Sequence, residues 1–106
     1  VPWNGRVGDV YTVEQGYDAA RLVAFMQLQA AWSILGDLSR IKQTVKVLGM
    51  VNCAHGFNDP PEVMFGFSEF LHEILGEAGI HTRSAVGVQA LPANVPVEVE
   101  TIFEIE

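Results

Sequence analysis

Residues Val13–Leu35 have the pattern of a long helix whose apolar surface is unusually wide. Thr12 or Val13 begins it, and Gly36 follows as a residue suited to the left-handed position that ends helices. Apolar side chains recur at helical spacing in two adjacent stripes, Phe25, Leu28, Trp32 and Leu35, and Leu22, Met26, Ala30 and Ile34. Because a surface helix usually buries a single stripe, this width predicts a helix that is covered on more than one side.

Four further elements follow along the chain. Residues 44–51 are β-branched and apolar on both alternating faces, which favours a central strand. Asn58 or Asp59, followed by two prolines, marks the start of a second helix at about 62–75. Its expected buried face is Val63, Phe67, Phe70, Leu71 and Ile74. Residues 83–91 and 95–105 alternate as two closing strands, which we interpret as a hairpin turning at 92–94. With a strand before the first helix, the order predicts an α+β fold with helices on one face of a sheet.

The composition and charge of the chain disfavour several classes of function. A chain of 106 residues is expected to form a single domain, and 49% hydrophobic residues are a surplus that suggests contact with another subunit. The net charge of −7 argues against nucleic-acid binding, which depends on neutralised phosphates. One cysteine suits a reducing compartment, and neither a leader nor a long apolar span is visible. We expect a soluble, cytoplasmic protein that binds neither nucleic acid nor membrane.

The closing strands carry the first candidate site. Arg83, Ala85 and Gly87 alternate with Ser84 and the valines of the first strand, and glutamates alternate with valines in the second. If the valines face the helices, the opposite face carries Arg83, Glu98 and Glu100 beside open space. An arginine there has the fork geometry that binds a carboxylate ligand. The alternative is a surface arginine paired with one of the glutamates.

Other candidate residues have weaker patterns. Cys53 and His55 are two residues apart, and a Cys–His nucleophile would need an orienting group that the sequence does not supply. The histidines 55, 72 and 81 show no metal-ligand spacing, so no metal is predicted. Gly5 in "NGRVG" suggests a turn rather than a phosphate loop, and Ser68 is a solvent-side residue of the second helix unless that face borders a cleft.

The chain resembles the RidA/YjgF family, and in particular its less characterised branch with longer members. The family pattern is an Arg-Ser pair near a strand start, a Leu-Pro turn, and a Val-Glu-Val-Glu strand. Here these are Arg83-Ser84, Leu91-Pro92 and 97–100. Supporting stretches are "GRVG", "GYDAARL", "LGDLSRIKQTVKVLGMVN" and "LGEAG", so the likeness spans essentially the whole chain.

The resemblance implies a chorismate-mutase-like fold, with two helices on one face of a sheet. It also implies a homotrimer with three clefts between subunits. That assembly would account for the apolar surplus. The family's N-terminal strand region is absent from residues 1–106, and with it one aromatic residue of the family site.

The resemblance further implies hydrolysis of reactive 2-imino acids to 2-keto acids and ammonia, without a cofactor or metal. Arg83 would hold the substrate carboxylate, and Glu98 would position or activate the water. Asn4 and Gly5 would line the pocket, and Ser68 falls where the family has a ligand-contacting asparagine. Ala85 replaces a cysteine that is common in the family, so the substrate side chain is left open.

Three classes of function follow from these observations. The first is an imine or enamine deaminase acting on a small carboxylate-bearing substrate. The second is a non-catalytic binder or sensor of keto acids that uses the same cleft. The third is the endoribonuclease or chaperone-like activity associated with the family, of which the ribonuclease activity is disfavoured by the acidic charge.

Overall fold

The structure, a computed structural model, describes residues 3–106 as two helices and three strands with short 3₁₀ turns between them. In chain order the elements are α1 (Val13–Leu35), β1 (Ile41–Asn52), α2 (Pro60–Leu75), β2 (Thr82–Val88) and β3 (Val97–Ile105). Both helices pack on one face of the sheet, which confirms the α+β class.

Helix α1 has the predicted limits. The Thr12 hydroxyl accepts a hydrogen bond from the Gln15 amide at 3.1 Å, and the Gln15 side chain accepts one from the Thr12 amide at 2.9 Å. These reciprocal bonds satisfy two amide donors that the helix start leaves unpaired. Gly36 ends the helix in the left-handed conformation, with φ of 81°.

The buried face of α1 differs from the predicted stripes. It is formed by four small residues, Gly16, Ala19, Ala20 and Ala24, and by Leu28, the one member of the predicted stripes that is buried. Small residues are required there because α2 lies very close: a methyl group on Gly66 of α2 would lie 2.1 Å from the Tyr17 carbonyl oxygen. Phe25 and Trp32 of the predicted stripe are 51% and 57% exposed in the single chain.

Helix α2 begins at Pro60, after Asp59, and buries three of the five residues that its periodicity indicated, with Phe70 only partly buried. Val63, Phe67 and Leu71 are fully buried, while Ile74 is 50% exposed. Met64 is also fully buried, above Gly49 of β1, where a methyl group would come within 2.5 Å of the Met64 side chain. The glycine therefore sets how closely α2 approaches the sheet.

The predicted closing hairpin is wrong. The strand order is β2-β1-β3, with β1 parallel to β2 and antiparallel to β3. The eight residues between β2 and β3 cross the end of β1 instead of forming a tight turn. They are long enough to do so, because neighbouring strands are only about 4.8 Å apart. The expectation that β1 is central is confirmed.

The strand order also corrects the predicted faces. Arg83 is in register with Val47, which is buried under the helices, so Arg83, Ala85 and Gly87 lie on the helix side of the sheet. The small residues are sites of close packing and not of open space, because a methyl group on Gly87 would lie 2.6 Å from the Cys53 sulfur. Val86 is 43% exposed on the opposite face, which we call the outer face.

The start of the chain forms no strand within residues 3–8. Val7 makes isolated β-bridges to Tyr11 and Cys53, and the remainder of the expected first strand lies outside the described residues. Across residues 3–106, neither helix has the length and apolarity that crossing a membrane requires.

Candidate functional site

A cleft of about 430 Å³ lies between one face of α2 and the start of β2. Its lining includes Phe65, Ser68, Glu69, His72, His81 and Arg83. The α2 residues are spaced i, i+3, i+4 and i+7 and so share a helix face, while His81 and Arg83 are two apart on extended chain and project to one side. The cleft therefore follows from where α2 crosses β2.

Arg83 is held by two neighbours of different kinds. Its Nη1 donates to the Ser68 hydroxyl at 3.1 Å, and its guanidinium carbon lies 4.7 Å from the centre of the Phe65 ring. Within residues 3–106 no salt bridge to Arg83 is formed. Burial lowers the pKa of Arg83, and the more distant charge of Glu62 opposes that effect. The group stays cationic, with most of its five donors available to an anion.

Ser68 connects Arg83 to His81. The Ser68 Oγ lies 2.9 Å from His81 Nε2, and His81 Nδ1 lies 2.7 Å from the carbonyl oxygen of Gly79. Burial, assisted by the positive charge of Arg83, lowers the pKa of His81 below its usual 6.5, although the Gly79 bond acts the other way. The imidazole is therefore neutral at pH 7.

Glu98 is not brought to this cleft within one chain. It is in register with Met50 of β1, three residues beyond the Val47 partner of Arg83, and so lies exposed on the outer face. Strand β1 also separates β2 from β3. The local pairing of Arg83 with Glu98 or Glu100, the alternative left open by the sequence, does not form.

Asn4 and Gly5 lie near the other end of β1. The Gly5 amide donates to the Asn94 carbonyl at 2.8 Å, and the Asn4 carbonyl accepts from the Tyr11 hydroxyl at 3.2 Å. This region is tied to Asn52, five residues along β1 from the level of Arg83, or about 16 Å at the usual rise of a strand. A single chain therefore groups Arg83 with Ser68 and leaves Asn4, Gly5 and Glu98 elsewhere.

His81 and Phe65 are the site residues that sequence reasoning missed. His81 was considered only as a metal ligand, although its position two residues before Arg83 places both side chains on one side of the strand. Phe65 precedes Ser68 by three residues, a spacing that predicts a shared helix face. Neither spacing identifies a site residue unless it is known that α2 crosses β2.

Cys53 and His55 line a second cleft, of about 510 Å³, beside Arg6 and the ends of β1 and β2. The Cys53 sulfur lies 4.0 Å from the Val88 carbonyl, and no hydrogen bond joins it to His55. In the part of the chain that is described, no cluster of three or more His, Cys, Asp or Glu side chains is placed to hold a metal ion.

Comparison with known proteins supplies the family. The profile described as "YjgF/chorismate mutase-like, putative endoribonuclease" matches residues 1–104. Protein TCP17 of Trypanosoma cruzi is 37% identical over 102 residues, which are 95% of this chain and 64% of that protein. The chain thus spans less than two thirds of the length of this relative.

Two solved structures have the same fold. The Agrobacterium tumefaciens protein Atu1372, of unknown function, superimposes with a TM-score of 0.96 at 37% identity, covering 99% of this chain and 68% of its own. A "putative endoribonuclease" from Shewanella oneidensis gives 0.93 at 34% identity, covering 98% and 69%. With the profile match over nearly every residue, these likenesses show that the chain belongs to the YjgF/chorismate mutase-like family.

Proposed function

We propose that this protein is a deaminase that hydrolyses reactive 2-imino or enamino acids to 2-keto acids and ammonia. The observation that carries the proposal is Arg83, a partly buried guanidinium in a cleft where residues 3–106 provide no salt bridge to it. A planar guanidinium binds a carboxylate through two parallel hydrogen bonds, so it fits the carboxylate of an amino-acid-derived substrate. Family membership supports the reaction class.

In this proposal Arg83 fixes the carboxylate and the electrophilic carbon lies deeper in the cleft. A protonated imine is electrophilic enough that hydrolysis needs mainly a positioned water and groups that move protons. Phe65 stacks on the guanidinium and excludes water from one of its faces, which strengthens the ionic contact.

Glu98 enters this scheme only through a neighbouring copy. Because it lies on the outer face, away from the cleft of its own chain, we propose a homotrimer in which the Glu98 of one copy reaches the Arg83 cleft of the next. Its carboxylate would orient the water there. Asn4 and Gly5, also distant from Arg83 in one chain, would line the same composite pocket.

A binder or sensor of keto acids is the second candidate. The separation of Glu98 from Arg83 within the chain favours it, because carboxylate binding requires only Arg83 and its supports. The endoribonuclease activity for which the family and one structural neighbour are named is disfavoured here. The net charge is −7, and phosphate neutralisation supplies most nucleic-acid affinity.

The test is the substitution Arg83→Lys, which keeps the charge but loses the planar fork. Calorimetry with pyruvate should show a loss of about 1.5–3 kcal/mol of binding free energy, the range for a hydrogen bond to a charged group. Arg21→Lys is the matched control, because Arg21 stacks on Phe70 at 4.8 Å but is already paired with Glu73. Unchanged pyruvate affinity in Arg83→Lys would make this arginine structural.

Catalysis is measured separately, as ammonia released from 2-iminopropionate generated in situ. The wild-type protein should exceed spontaneous hydrolysis, and Arg83→Lys should not. Arg83-dependent pyruvate binding without any turnover would instead establish the binder.

A further inference from the structure

The contact between Ser68 and His81 is unusual for a serine inside a helix. Such a serine commonly bonds to a carbonyl of the preceding turn, as Ser33 of α1 does to the Ala30 carbonyl at 2.9 Å. Ser68 instead makes its hydrogen bonds to two side chains outside its helix, His81 and Arg83. The hydroxyl is thus directed into the cleft.

The partners fix the direction of each hydrogen bond. The Gly79 carbonyl can only accept, so His81 Nδ1 carries the proton and the neutral ring has a bare Nε2. Ser68 therefore donates its proton to Nε2, and Arg83 donates to the Ser68 oxygen. That oxygen has a second lone pair, which is free to accept a proton from a molecule in the cleft.

This arrangement has the parts of an activated hydroxyl. A base lies within hydrogen-bond reach of it, and the base is oriented by a third group, the Gly79 carbonyl. The charged and titratable groups that share the cleft are Arg83 on β2 and Glu69 and His72 on α2. Glu69 accepts a hydrogen bond from the Tyr17 hydroxyl at 2.7 Å, and Arg83 is the charge that acts on His81.

We propose that Ser68 and His81 form a proton relay that serves the reaction at the Arg83 cleft. The inference rests on the proposed imine hydrolysis and names the groups that move its protons. It also places the relay on the same chain as Arg83, whereas Glu98 only orients the water.

The relay would carry one proton from the attacking water to the leaving amino group. Water attacks the carbon of the protonated imine, a C–O bond forms, and the C=N π pair moves to nitrogen. One water proton passes to the Ser68 oxygen as the Ser68 proton passes to His81 Nε2. The relay then returns that proton to the amino group, and the C–N bond breaks with its pair on ammonia. The remaining hydroxyl becomes the keto group, and its proton converts ammonia to ammonium.

The relay is tested by the pH profile of ammonia release from 2-iminopropionate. In the wild type kcat should fall as the pH drops through the lowered pKa of His81, since the protonated ring cannot accept a proton. His81→Gln should lose this acidic limb and about 10²-fold or more in kcat, the scale of general acid–base catalysis. His55→Gln, a change to an exposed histidine outside this cleft, is the control that keeps both rate and limb.

Three further variants separate a proton relay from a merely structural role of Ser68 and His81. Ser68→Ala should lower kcat by a similar factor, and Ser68→Thr, which retains a hydroxyl, should recover much of it. Added imidazole should partly restore turnover to His81→Ala, because it supplies the missing base. Pyruvate binding should persist in His81→Gln, showing that the cleft is intact.

The outcomes distinguish this inference from the proposed function. One outcome is turnover that depends on Arg83 while His81→Gln and Ser68→Ala keep the wild-type rate and the fall of kcat at low pH. That result overturns the relay and leaves the proposed deaminase intact. An acidic limb that disappears in Glu98→Gln instead assigns the proton to that carboxylate and also overturns the relay. Absence of wild-type turnover on 2-imino acids overturns both.

Discussion

Arg21 and Arg83 have nearly the same aromatic contact and different electrostatic partners. Each guanidinium stacks on a phenylalanine of α2, at 4.8 Å and 4.7 Å from the ring centre. The Arg21 guanidinium donates hydrogen bonds to both carboxylate oxygens of Glu73, and these bonds link α1 to α2. Arg83 bonds to the neutral Ser68 instead, so its charge remains available to a ligand. This difference in partner is the reason that Arg83, and not Arg21, is the proposed binding group.

Thr12 shows how one hydroxyl defines an element boundary. Thr12→Ala removes the acceptor of the Gln15 amide and should lower the free energy of unfolding by about 1 kcal/mol, the usual cost of losing an N-cap. Urea denaturation measures this cost. Thr12→Ser preserves the hydroxyl and should remain near wild type, and an equal loss in both variants would contradict the capping role.

At the residue scale, the sequence placed Arg83 at a strand start by local alternation, whereas Ser68 entered the candidate site only through the family resemblance. It misplaced Glu98 relative to Arg83, since their separation depends on which strand lies between β2 and β3. Local alternation shows which residues share a face of one strand, but not which face meets the helices. His81 was missed for the same reason, because its partner Ser68 belongs to another element.

At the scale of elements, the two helices and the central strand were predictable, and the order of strands was not. The limits of α1 follow from Thr12 and Gly36, which are local signals. The hairpin interpretation failed because three linker residues were counted where eight connect β2 to β3. Ala85 and Gly87 indicated an open pocket from the sequence, whereas Cys53 and α2 occupy that space.

The distance between α1 and α2 depends on Gly66. Gly66→Ala places a methyl group against the backbone of α1 at Tyr17, which cannot move without shifting the whole helix. Overpacking typically costs about 1–3 kcal/mol, and the gain of about 1 kcal/mol in helix propensity offsets only part of it.

Thermal unfolding followed by circular dichroism tests this expectation, with Gly16→Ala as the comparison. A methyl group on Gly16 would meet only side chains, at 3.0 Å from Val63 and 3.2 Å from Val7, so a smaller loss is expected. Equal or greater stability of Gly66→Ala would show that the helices can separate freely.

For the whole molecule, the apolar surplus is concentrated on two surfaces. On the outer face of the sheet Val86 and Ile102 are 43% and 52% exposed, and on the helices Phe25, Trp32 and Ile74 are each at least half exposed. Such areas are uncommon on a monomer. The proposed homotrimer would cover the first surface by placing the outer faces of three sheets against one another.

Analytical ultracentrifugation at micromolar concentration should therefore show a trimer. Mixing Arg83→Lys and Glu98→Ala chains during refolding then tests whether sites are shared between copies. In a cyclic trimer with composite sites, about a quarter of the sites in the mixture receive both intact residues, so activity should reappear at roughly that level. A stable monomer, or mixtures as inactive as either variant alone, would contradict the shared site.

The position of β3 in the sheet also determines when the sheet can be completed during synthesis. Its partner β1 is made some fifty residues earlier and pairs with β2 on its other side. A growing chain therefore has one edge of its most buried strand open until β3 has left the ribosome. An open strand edge presents unpaired backbone groups that pair readily with other chains. The yield of native protein should accordingly depend on how quickly translation passes from β2 to β3, and slow codons in the segment between them should increase aggregation without changing a single residue.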